Sequence, residues 1–161
     1  PAWLKSAVYS AVLEAHPYEE VAHQWIAIQN ALQDAGSGMI GELDEAMEIN
    51  DFMDFIKSRM KATVVRHTAL VTQQVRRVAV CGGSGSFLLP DAIAAGADVF
   101  ISADFKYHQF FDADGRIVVA DIGHFESEQF TIELLGDWFK QKFPTFASHL
   151  TEIDTNPVFY K

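Results

Sequence analysis

The sequence predicts an α/β fold built on a mainly parallel or mixed sheet flanked by helices. Two observations carry this expectation. From Arg76 onward short apolar runs alternate with helix-like segments, since "RRVAVC", "ADVFIS" and "RIVVAD" are each followed by a turn or a helical stretch. Strands separated by crossover helices produce that order. The three runs are also continuously apolar rather than alternating, which implies burial on both faces.

The elements follow in chain order. Leu4 to His16 sets Leu4, Val8, Val12 and Ala15 on one stripe, a helix stopped by Pro17. "HQWIAIQN" is expected as a strand, and "DAGSGMIGEL", with Gly36, Gly38 and Gly41, as a loop or tight turn. "INDFMDFIKSRMK" resumes helical spacing through Ile49, Phe52, Met53, Ile56 and Met60, with Asn50 or Asp51 as its cap. "ATVVRH" is a short strand. After "RRVAVC" comes the turn "GGSGS", then a helix "LLPDAIAAG" that ends at Gly96. "ADVFIS" is a strand, "KYHQFFDAD" a short helix closed by Gly115, and "RIVVAD" a strand. A long helix, "HFESEQFTIELLGDWFKQKF", runs into Pro144, and "HLTEID" is expected as a last strand.

Composition bounds the function. The 161 residues are 49% hydrophobic and 21% charged, as in a globular domain, and the formal net charge is −10. That charge repels polyphosphate backbones and anionic lipid, so nucleic acid and membranes are not expected as partners. Cys81, the single cysteine, cannot form an internal disulfide. A reducing compartment and a cytoplasmic location are therefore expected. No apolar run reaches the roughly eighteen residues of a membrane span. The thirteen Phe and three Trp residues are expected in the core or in an oligomer interface.

Four stretches could carry chemistry. In "DIGHFESEQF" the four-residue spacing lets His124 and Glu128 converge from one helical turn. An imidazole nitrogen with a carboxylate oxygen suits zinc, manganese or iron. Equally, His124 can pack or cap while Glu126 and Glu128 meet the positive helix end. In "SADFKYHQFFDADG", Asp104, Lys106 and His108 follow a buried strand at the carboxyl edge where open α/β sheets place ligands. His108 and Asp104 are candidates for acid/base work or for orienting a metal-bound histidine. "CGGSGS" could present the backbone of Gly82, Gly83 and Ser84 to a phosphate, or be a turn that needs small residues. "HPYEEVAHQW" reads as a helix stop with solvated charges.

Taken together and in order, "AHPYEEVA", "GSGMIGEL", "VAVCGGSGSFL", "AGADVFISADFKYHQFFDADG" and "DIGHFESEQF" resemble the C-terminal portion of one family. It is the dinuclear metal centre proteins related to the yeast NGG-interacting factor, also called GTP cyclohydrolase I type 2 homologues. The resemblance implies that residues 1–35 are the C-terminal remnant of an inserted PII/CutA-like domain and that residues 36–161 are the C-terminal half of the metal-centre domain. It also implies His124 and Glu128 as metal ligands, with Glu128 placed to bridge two divalent cations, zinc, manganese or iron. His108 and Asp104 would be acid/base or outer partners, and Gly82, Gly83 and Ser84 would hold a phosphate. The implied activity is metal-dependent hydrolysis of a nucleotide or phosphorylated small molecule in a homo-oligomer, a hexamer in the family. The alternative is a non-catalytic, oligomeric regulatory or partner-binding protein. The family draws further ligands, including a histidine pair, from an N-terminal half, and this sequence has no His-His pair. The abrupt start at Pro1 is therefore expected to be a cut through a larger structure, with the chain alone binding metal weakly.

Overall fold

The computed structural model describes residues 2–26 and 35–161. The chain divides into two compact units, Pro1–Gly36 and Ser37–Lys161. In the first, α1 spans Lys5–Ala15 and stops two residues before Pro17. Its Val8 and Val12 stripe is exposed. Trp25 and Ile26 are not in a strand, and the rest of the expected strand "HQWIAIQN" lies outside the described residues.

The second unit holds a five-stranded mixed sheet in the order β1-β3-β4-β5-β2. The strands are β1 (Met39–Glu48), β2 (Arg66–His67), β3 (Gln74–Ser84), β4 (Val99–Ala103) and β5 (Val118–Asp121). β3, β4 and β5 are parallel, while β1 and β2 pair antiparallel at the two edges. Alternate residues of the central strands feed two cores. Phe100 and Val119 join Ala79, Leu89, Phe105 and Ile117 on one face. Val99, Val118 and Ala120 join Ile49, Phe52, Ile56 and Ile122 on the other. Burial on both faces explains why β4 and β5 are continuously apolar.

Helix α2 (Ile49–Arg59) turns Ile49, Phe52 and Ile56 inward. Its cap is Glu48 rather than Asn50 or Asp51, because the Glu48 carboxyl accepts the backbone N–H groups of both. Helix α3 (Leu89–Ala94) begins with Pro90 in its first turn. A 3-10 helix spans Tyr107–Ala113. The expected long helix is two, α4 (His124–Glu128) and α5 (Thr131–Lys142). Gln129 stands at the break, its Nε2 donating to the carbonyls of Met60 at 2.8 Å and Glu126 at 3.3 Å.

Three further expectations are corrected. The second half of "DAGSGMIGEL" is strand, because Met39, Ile40, Gly41 and Glu42 pair with Val80, Ala79, Val78 and Arg77. "GGSGS" begins as strand, and Ser84 pairs with Ala103 after a register shift. "HLTEID" forms no strand. Its hydroxyl and carboxyl groups engage the local backbone instead: Thr151 Oγ1 accepts the Ile153 N–H at 3.3 Å and Asp154 Oδ1 that of Asn156 at 2.8 Å. Such side-chain bonds compete with a ladder.

Candidate metal and ligand site

Parallel strands end at one edge, so the residues following β4 and β5 meet. Asp104 follows β4 with a φ of 58°, in the left-handed region that a short polar side chain tolerates. Beyond β5, Gly123 takes a φ of 93° and delivers the chain into α4, whose first residue is His124. Two sharp bends at strand ends thus aim Asp104 and His124 at each other.

His124 Nδ1 lies 2.7 Å from Asp104 Oδ2, and its Nε2 lies 3.3 Å from Glu128 Oε2 one helical turn on. All three side chains are about half exposed, at 52%, 47% and 51%. A carboxylate at Nδ1 favours the tautomer with hydrogen there, which turns the lone pair of Nε2 towards Glu128. The hydrogen bond to Asp104 is the main influence raising the His124 pKa, opposed by burial and reinforced by the charges of Asp104 and Glu128.

β3 supplies the backing. A Cβ on Gly83, whose φ is 62°, would meet Glu128 Oε1 at 2.5 Å and His124 Cε1 at 3.3 Å. The missing side chain therefore leaves room for both donors. The Gly83 N–H donates to Ser127 Oγ at 2.8 Å, and that hydroxyl donates to the His124 carbonyl at 2.8 Å, fixing α4 to the strand. The Gly83 carbonyl accepts from Ser102 Oγ at 3.0 Å. Gly82, Gly83 and Ser84 thus lie in strand beside the histidine and glutamate, with the Gly83 N–H already engaged.

His108 does not join the group. It is exposed on the 3-10 helix, edge-on to Tyr107 with ring centroids 5.3 Å apart. Asp104, His124 and Glu128 instead border a cavity of about 1130 Å³. Arg66, Asp121, Glu126 and Tyr160 also line it. Asp121 is buried, paired with Arg66, and accepts the N–H groups of Phe105 at 2.9 Å and Gly123 at 3.1 Å. Burial first, then the charges of Glu126 and Asp121, raises the Tyr160 pKa, and Arg66 opposes them. Sequence reading gives no role to Arg66, which lies in the expected strand "ATVVRH", or to Tyr160 near the end of the chain. The only available signal was Asp121, a carboxylate ending an otherwise apolar strand.

The donor set is nitrogen with oxygen at one point, a pair that fits a borderline divalent cation. Among the described residues no group of three or more His, Cys, Asp or Glu side chains gathers to hold an ion. No helix among the described residues is long and apolar enough to cross a membrane.

Comparison with known proteins matches residues 6–157 to the family described as Duf34/NIF3 (NGG1p interacting factor 3). A Staphylococcus epidermidis protein named GTP cyclohydrolase 1 type 2 homolog is 34% identical over 158 residues, covering 94% of this chain and 42% of its own length. A Bacillus subtilis protein of the same name is 32% identical over 165 residues, covering 99% and 44%. The crystal structure of Staphylococcus aureus protein SA1388 superposes with a TM-score of 0.77 at 30% identity, over 99% of this chain and 53% of that one. A Bacillus cereus protein related to NIF3 gives 0.73 at 31%, over 100% and 45%. The chain spans less than half the length of these two curated relatives.

Proposed function

The chain belongs to the Duf34/NIF3 family, and on that premise we propose that its Ser37–Lys161 unit supplies half of a dinuclear metal centre in a metal-dependent hydrolase. The observation that carries this is the approach of His124 Nε2 to Glu128 Oε2 at 3.3 Å, with Nδ1 tied to Asp104. Zinc, manganese or iron would suit the pair, and His124 and Glu128 would be the residues of this unit that hold the metal. Bound metal would supply hydroxide near neutral pH and polarise the bond to be broken. The chain's own part is positional. Asp104 sets the imidazole tautomer, Gly83 leaves room for both donors, and Ser127 anchors α4. The relatives' name, GTP cyclohydrolase 1 type 2 homolog, supports a nucleotide or other phosphorylated small molecule as substrate.

A second reading, a non-catalytic oligomeric metal protein, is favoured by α5, which exposes Leu134, Leu135, Trp138 and Phe139. Turnover lost in Glu128→Ala with assembly intact would favour the hydrolase. Assembly and partner binding without any turnover would favour the second reading.

The test is elemental analysis of the purified chain beside His124→Ala, after dialysis against zinc, manganese and iron in turn. A partial metal load in the parent, in keeping with weak binding by this chain alone, that the variant loses is the expected result. Equal metal in both would contradict the site. Metal absent from both would mean that these two donors alone hold no ion.

A further inference from the structure

A second cavity, of about 750 Å³, is lined by β2, the stretch after it and the 3-10 helix, and shares only Arg66 with the cavity beside His124 and Glu128. That volume falls in the range of about 300–1,000 Å³ that small-molecule sites occupy. Its wall is fixed to the sheet. The Thr68 N–H donates to the Val119 carbonyl at 3.1 Å, and Thr68 Oγ1 accepts the Val119 N–H at 3.0 Å, so the chain leaving β2 is tied to β5. Ala113 and Ile117, which also line the cavity, are buried.

Tyr107 and Phe111 are the opposite case. They are 72% and 66% exposed, and their rings stand edge-on with centroids 5.4 Å apart. Two large rings that border one cavity and face water offer apolar area that a flat ring would cover.

Arg66 sets the charge of the ligand. Its Nη2 donates to the Asp121 carboxyl and, at 3.1 Å, to the Phe105 carbonyl, while the guanidinium lies over Phe110, 5.4 Å from the ring centroid. Nε and Nη1 therefore keep three N–H groups without an acceptor among the described residues. Asp114 is the one carboxylate among the lining residues, and it is exposed and lies 3.8 Å from Arg116. A guanidinium already oriented by a buried carboxylate and an aromatic face receives an anion at little further cost in order.

We propose that this cavity binds a small aromatic anion, with its ring against Tyr107 and Phe111 and its anionic group on Arg66. No metal takes part. Arg66 links the cavity to the His124 and Glu128 pair, because its partner Asp121 accepts the N–H groups of Phe105 and Gly123, the neighbours of Asp104 and His124. An occupant that draws on Arg66 is therefore felt at Gly123.

The test is an amide NMR titration of the metal-free chain with three probes: 1-naphthoate, 1-naphthamide, which keeps the ring without the charge, and acetate, which keeps the charge without the ring. Naphthoate is expected to saturate, to shift the amides of Val71, Tyr107 and Phe111, and to bind at least about tenfold more tightly than either of the others. Phe111→Ala, a change at an exposed ring, should weaken naphthoate by about fivefold. Naphthamide or acetate as tight as naphthoate, shifts confined to other surfaces, or unchanged affinity in Phe111→Ala overturns the proposal. If the variant does not fold, the ranking of the three probes on the parent decides. A naphthoate shift that extends to the Gly123 amide supports the link through Asp121, and its absence overturns that link.

Discussion

Asp104 and His124 stand twenty residues apart in the chain, yet Oδ2 of one lies 2.7 Å from Nδ1 of the other. The contact exists because β4 and β5 are parallel neighbours and each is followed by a residue with positive φ, Asp104 and Gly123. It decides which imidazole nitrogen faces Glu128.

The first prediction concerns pH. The folded-state pKa of His124 is raised above 6.5, chiefly by the Asp104 hydrogen bond. The stability this contributes is therefore fully present below the unfolded pKa and is lost as pH rises through the folded one. Because the pair is about half exposed, the contribution is at most about 1 kcal/mol. An NMR titration of the metal-free chain should place the His124 midpoint higher than in Asp104→Asn. An unchanged midpoint would show that Asp104 is not the cause.

Metal affinity should follow the same contact. A ligating imidazole that loses its Nδ1 partner loses orientation and basicity, so Asp104→Ala is expected to weaken zinc binding by about 10–100-fold. Competition titration against a chromophoric chelator measures it. His108→Ala, at a residue that does not line the cavity beside the pair, should leave the same titration unmoved.

Gly83→Ala should be damaging in two ways. The residue sits at a φ of 62°, and the added Cβ would stand 2.5 Å from Glu128 Oε1. Backbone strain alone costs about 1–2 kcal/mol, and the displaced carboxyl should weaken metal binding as well. Urea denaturation and the chelator assay read the two effects separately.

Removing the Asp121 carboxyl should cost more than an ordinary surface change. Asp121→Ala leaves the Phe105 and Gly123 N–H groups without their acceptor and the Arg66 guanidinium with the Phe105 carbonyl but no carboxylate. The expected loss is about 2–4 kcal/mol in urea denaturation. In the core, Phe100→Ala empties a site that is 1% exposed and should cost about 3–5 kcal/mol.

How much of this was legible depends on which physical signal each element carries. Helix α2 was, since Ile49, Phe52 and Ile56 recur at helical spacing and are the residues that the fold buries. β4 and β5 were, because burial on both faces makes a strand continuously apolar. β1 was not, because an edge strand carries glycine and charge that also describe a loop, and only pairing with β3 distinguishes the two. The split between α4 and α5 was hidden too, since the Gln129 contact to Met60 is long-range. At the site, the spacing of His124 and Glu128 was visible along the chain. The roles of Arg66 and Tyr160 arise from segments brought together only by the sheet and the C-terminal stretch, so no local pattern announces them.

The most direct measurement is anomalous diffraction at the zinc edge from a zinc-soaked crystal of the chain. The account predicts a peak about 2 Å from both His124 Nε2 and a Glu128 carboxyl oxygen, with Nδ1 still bonded to Asp104. A peak at Nδ1, or zinc bound elsewhere with Glu128 free, would contradict it.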